Sequence, residues 1–118
     1  MEVPGLKVIN VYEQYFKGRC VYNGVERRGV KVMLIATSDE GMIRYEAALS
    51  FFPYRDPEDF AISYDAYFSR ELYNAPGRRS KKREAGLLEG FRAEADALAA
   101  EAGGSIDWDA PLRQARYG

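Results

Sequence analysis

Histidine is absent from the 118 residues, and cysteine and tryptophan occur once each, as Cys20 and Trp108. Without histidine there is no His-activated nucleophile, no His-ligated zinc and no His general base. A lone cysteine cannot form an internal disulfide and suggests a reducing, cytoplasmic compartment. No apolar run approaches the roughly 18 residues of a membrane span. Met1–Gly5 lacks the basic and apolar regions of a signal peptide. No Gly/Ser- or Pro-rich linker and no internal repeat divides the chain, so residues 1–118 read as one domain. At 47% apolar and 30% charged residues the composition is globular rather than disordered.

Net charge is also nearly absent, at −1, but the signs are segregated. Residues 1–38 carry +3, residues 39–65 carry −5, residues 76–92 carry +4 and residues 93–110 carry −5. Such a chain can present a strong local field without attracting polyanions over its whole surface.

The pattern predicts an α+β fold built on an antiparallel β-meander of three to five strands. Leu6–Phe16 mixes alternation with apolar pairs, as a strand partly buried on both faces would. Lys17-Gly18 is a candidate turn. Asn23-Gly24, between Cys20–Tyr22 and Val25, is the strongest short hairpin signal, because a type I′ turn needs positive φ at both central residues. Val30–Thr37 is the most β-prone run and should be central. A turn at Ser38–Gly41 leads into Met42–Phe52. Residues 57–73 are two-sided. Asp56-Pro57-Glu58-Asp59 is a good helix start, which favours a helix, whereas Phe60, Ile62, Tyr64, Ala66 and Phe68 alternate as on a strand. From Ser80 to Ala102 a long helix is expected, packed across one sheet face, because Leu88, Phe91, Ala95, Leu98 and Ala102 recur at spacings of three and four. Gly103-Gly104 ends it, and Asp109 can cap a short turn through Pro111 to Arg116. Leu88, Phe91, Leu98, Val32, Leu34, Ile43, Leu49 and Trp108 are the expected core.

Three features bear on function. The first is Arg78-Arg79-Ser80-Lys81-Lys82-Arg83, which sets three cations in the first turn of the expected helix. There they oppose the macrodipole, at about 0.3–1 kcal/mol each when exposed. Cations beside free backbone N–H groups suit an anionic partner, either nucleic acid or an acidic protein surface. A solvated face, or pairing with the acidic block at 39–65, would also account for them. The second is a stripe of small residues on the same helix: Gly86, Gly90, Ala93 and Ala97. It admits close approach by a partner or a second copy of the chain, unless the C-terminal segment with Trp108 covers it. The third is an aromatic content of 14%, with nine tyrosines. Tyr67 and Tyr73 are candidate interface residues, since tyrosine gives contact area at low entropy cost.

No catalytic constellation and no metal or cofactor set stands out. Asp56/Glu58/Asp59 reads as a helix start, and Cys20, beside apolar Val21, reads as a small core residue. The sequence therefore suggests a non-catalytic protein that binds an anionic macromolecule through residues 78–83. The alternative is a protein–protein inhibitor or homodimeric adaptor acting through the small-residue stripe and tyrosines. Size and the missing catalytic machinery fit accessory proteins such as those of phages or mobile elements.

Overall fold

The computed structural model describes residues 6–53 and 66–112. It is α+β: a five-stranded antiparallel sheet with two helices. The strands are β1 (Lys7–Tyr22), β2 (Val25–Asp39), β3 (Met42–Phe52), β4 (Tyr67–Pro76) and β5 (Ser105–Leu112), in the order β4-β3-β2-β1-β5. The helices α1 (Lys81–Glu89) and α2 (Phe91–Glu101) lie between β4 and β5 in sequence. Among the described residues no helix is long and apolar enough to cross a membrane.

Local chemistry builds the meander. Asn23 and Gly24 take φ of 52° and 76°, and Glu40 and Gly41 take 49° and 80°, so both hairpins turn on paired positive-φ residues. Strand β2 is the centre of the sheet, and its alternate residues supply both faces. Val30, Val32, Leu34 and Ala36 join Ile43, Tyr45, Ala47, Leu49 and Phe51 of β3 beneath the helices, where Phe91, Ala95, Leu98 and Ala99 complete the main core. Met33, Ile35 and Ala48 form a smaller buried cluster on the opposite face. Two-sided burial is why Val30–Thr37 is almost wholly apolar.

The structure corrects five expectations. Lys17-Gly18 does not turn the chain. It is a bulge within a strand that runs on to Tyr22: the register against β2 shifts between Lys17 and Cys20, while the other edge of β1 pairs with β5 over residues 15–19. A Cβ on Gly18 would lie 2.8 Å from the Ser105 carbonyl oxygen and 2.9 Å from Val30 Cγ1, so glycine is what lets β5 close on this edge. Second, residues 67–73 of the expected 57–73 helix belong to β4, while residues 57–65 lie outside the described residues. Pairing of Phe68 with Leu49 and of Tyr73 with Tyr45 satisfies the backbone and buries one face, which outweighs the local helix-start signal. Third, the long 80–102 helix is two helices that change direction at Gly90 (φ −99°, ψ 10°). Fourth, the bend turns Leu88 out of the core to 37% exposure, while Phe91 is 4% exposed. Fifth, Asp109 and Pro111 lie within β5 and not in a capped turn; residues 113–116 lie outside the described residues. Val32, Leu34, Ile43, Leu49, Phe91 and Leu98 are buried as expected, and Trp108 packs against the same cluster.

Candidate functional site

Helix α1 starts where the basic run ends its first half. Ser80 is the N-cap, with extended backbone (φ −135°, ψ 121°), and its Oγ accepts from the Arg83 N–H at 3.2 Å. One turn later Glu84 points inward and is 6% exposed. Its carboxylate takes a two-pronged contact from Arg79: Nε to Oε2 at 2.8 Å and Nη2 to Oε1 at 2.9 Å. Tyr45, in the middle of β3, donates its hydroxyl to Oε2 at 2.8 Å and accepts from the Ser80 N–H at 3.2 Å. The start of α1 is thus bolted to the sheet through a buried carboxylate, a guanidinium and a phenol.

The electrostatics follow from these contacts. Arg79 above all, helped by Tyr45, holds the Glu84 carboxyl below its ordinary range against the opposing effect of burial. Glu84 in turn raises Arg79. Burial pushes the Tyr45 phenol up, and its bond to Glu84 adds to this.

The five sequence-predicted cations therefore separate. Arg79 is committed to Glu84, an acid that stands right beside the run. Arg83 lies over the Tyr73 ring, 4.0 Å from its centre, and Tyr73 is in turn 6.1 Å from Tyr45. Arg78, Lys81, Lys82 and Arg83 make no salt bridge among the described residues and are exposed. Ser80, Lys82 and Arg83 line a recess of about 330 Å³. The arrangement is a fixed helix start that displays four exposed cations with no ion-pair partner among the described residues. Among the described residues no group of three or more His, Cys, Asp or Glu is placed to hold a metal.

The other candidates are dispersed. Tyr73 faces the helices and carries Arg83, whereas Tyr67 pairs with Ser50 on the opposite face and is 41% exposed. Gly86, Ala93 and Ala97 lie exposed on the outer side of the helices, with Gly90 at the bend between them. Among the described residues a Cβ on Gly86 or Gly90 would meet nothing within 4 Å. Strand β5 does not cover this stripe. Its Trp108 packs edge-on against Phe16, with ring centres 4.9 Å apart, and donates Nε1–H to Asp96 at 2.8 Å. Cys20 is fully buried, its thiol directed at the Ala102 carbonyl 3.6 Å away, and burial pushes that thiol's pKa up.

Sequence reasoning missed Glu84 and Tyr45. The available signal was an acid immediately following five cations, five residues after Arg79. Only the strand–helix juxtaposition reveals that it is buried. Compared with family models, with curated proteins and with solved structures, the chain matches none.

Proposed function

We propose that this chain is a non-catalytic binding protein that receives an anionic macromolecule on Arg78, Lys81, Lys82 and Arg83 at the start of α1. One observation carries the reading. The buried Arg79–Glu84–Tyr45 contact anchors the helix start, while its neighbouring cations are left exposed where the helix dipole disfavours them. The α1 backbone N–H groups add to the attraction for a phosphate or carboxylate. Of the four, Arg83 lies over an aromatic ring, that of Tyr73. The buried Cys20 thiol accords with a reducing, cytoplasmic setting.

The test uses the variant Arg78→Gln/Lys81→Gln/Lys82→Gln, which spares the anchor. Binding to a short DNA duplex, a short RNA and polyglutamate is measured at low and moderate salt. The variant should keep the fold and lose binding to at least one probe. If that probe is nucleic acid, each lost phosphate contact should reduce the log–log salt slope by about 0.7–0.9. Unchanged binding by the variant, or no binding of any probe at low salt by the parent, would remove the reading.

A second reading, a homodimeric adaptor or protein inhibitor using the outer helix face, draws on the open space around Gly86 and Gly90. Sedimentation that shows a monomer at all concentrations would exclude its homodimer form.

A further inference from the structure

The change of direction at Gly90 opens a second feature at the other end of α1. Tyr12 of β1, Leu88 at the end of α1, Phe91 and Arg92 at the start of α2, and Trp108 of β5 line a cleft of about 270 Å³. Its walls are held in place. Tyr12 meets Phe91 edge-on with ring centres 5.4 Å apart, and the Tyr12 hydroxyl donates to Gln14 at 3.0 Å. Trp108 is fixed from behind by Phe16 and by its hydrogen bond to Asp96. Leu88 forms the exposed rim on helical backbone.

The cleft has one charged lining residue, Arg92, whose guanidinium sits 5.0 Å from the Trp108 ring centre. Asp96 stands one helical turn away, the usual ion-pair spacing. It takes the Trp108 N–H instead, and among the described residues Arg92 has no salt bridge. The result is a preformed aromatic slot with an available cation at its mouth.

We propose that this slot docks a segment of a partner protein, in which an aromatic or branched apolar side chain stands next to a carboxylate. The apolar side chain enters between Tyr12, Leu88, Phe91 and Trp108, and the carboxylate pairs with Arg92. The volume falls just below the roughly 300–1,000 Å³ of small-molecule sites and suits a single side chain. Aromatic rings and an arginine are also the side chains that dominate binding energy at protein interfaces. A nucleobase could stack on Trp108, but its phosphates would then run past Asp96, which holds the Trp108 N–H, whereas a peptide backbone is neutral and brings its charge to Arg92 alone. The slot lies roughly 12 Å along α1 from Ser80, at 1.5 Å per residue. It stands independently of what the basic end binds.

Trp108 is the sole tryptophan, so its fluorescence reports on the slot directly. The probes are acetyl-phenylalanyl-glutamate amide, its glutamine analogue and its alanyl-glutamate analogue, titrated into the full chain. The expected result is a saturable change with the first, about tenfold tighter than with the glutamine analogue, and none with the alanyl peptide. Arg92→Gln should abolish the preference for glutamate, and Leu88→Glu should weaken the phenylalanyl peptides about tenfold. Both residues are exposed, so melting temperatures should stay close to that of the parent. The proposal fails if no phenylalanyl peptide gives saturation, if both bind equally, or if the preference survives Arg92→Gln. It also fails if a short oligothymidylate changes the fluorescence and the peptides do not. Fluorescence that varies with protein concentration alone would assign the slot to a second copy of the chain and overturn it as well.

Discussion

Replacing Glu84 by glutamine tests the central structural argument, that a buried carboxylate ties the basic end of α1 to the sheet. In the parent protein the carboxylate accepts three hydrogen bonds, two from Arg79 and one from Tyr45. Glutamine keeps the shape but offers one oxygen, and its amide NH₂ faces donors. Hydrogen bonds to charged groups contribute about 1.5–3 kcal/mol, and a buried donor left unpaired costs about 1–3 kcal/mol. The Arg79 side chain is 39% exposed and can be rehydrated, which discounts its share, but Tyr45 is fully buried. The balance is a loss of about 2 kcal/mol, well above the 0–1 kcal/mol of an exposed pair. Because Arg79 holds the folded-state pKa of Glu84 below its ordinary 4.5, the contribution is complete above that pH and is lost as pH falls toward and through the folded value. Urea unfolding of parent and Glu84→Gln should therefore differ most near neutrality, and the gap should narrow in acid below about pH 4.5. A neutral-pH difference under about 0.5 kcal/mol, the range of ordinary surface substitutions, would refute the reasoning. So would a gap that stays constant into acid.

Phe91→Ala should cost about 3–5 kcal/mol by leaving a core cavity, while Leu88→Ala should stay within about 0.5 kcal/mol, both by chemical denaturation. Gly90→Ala should be neutral or stabilise by up to about 1 kcal/mol in thermal melts, since its Cβ meets open space and its φ suits any residue. Gly90→Leu should leave a folded protein for the same reason, and unfolding of that variant would show that the outer helix face is covered. Gly18→Val should loosen β5 from β1, seen as faster amide exchange over 105–107 than over the β2–β3 pairs, because the added side chain collides with the Ser105 carbonyl and Val30.

The hairpins were legible from local chemistry. Asn23-Gly24 and Glu40-Gly41 turn where positive φ is cheapest, and period-two alternation in Met42–Phe52 fixed which residues face the core. Ser80 likewise starts its helix because an N-cap needs only its own side chain and the next turn. The basic run and the small-residue stripe were visible for the same reason: each is a statement about neighbours in sequence. What tertiary structure decided depends on residues far apart. Residues 67–73 become a strand because β3 offers them an unpaired edge, and Lys17-Gly18 bulges where β5, after two helices, pairs with the outer edge of β1. Glu84 is anchored rather than solvated because Tyr45, 39 residues earlier, lies beneath it. The three-four repeat through Leu88 and Phe91 is a property of one straight helix. Once the chain bends at Gly90, the two side chains part, one into the core and one to the rim of an aromatic cleft, since burial is settled by what the sheet can cover and not by periodicity alone.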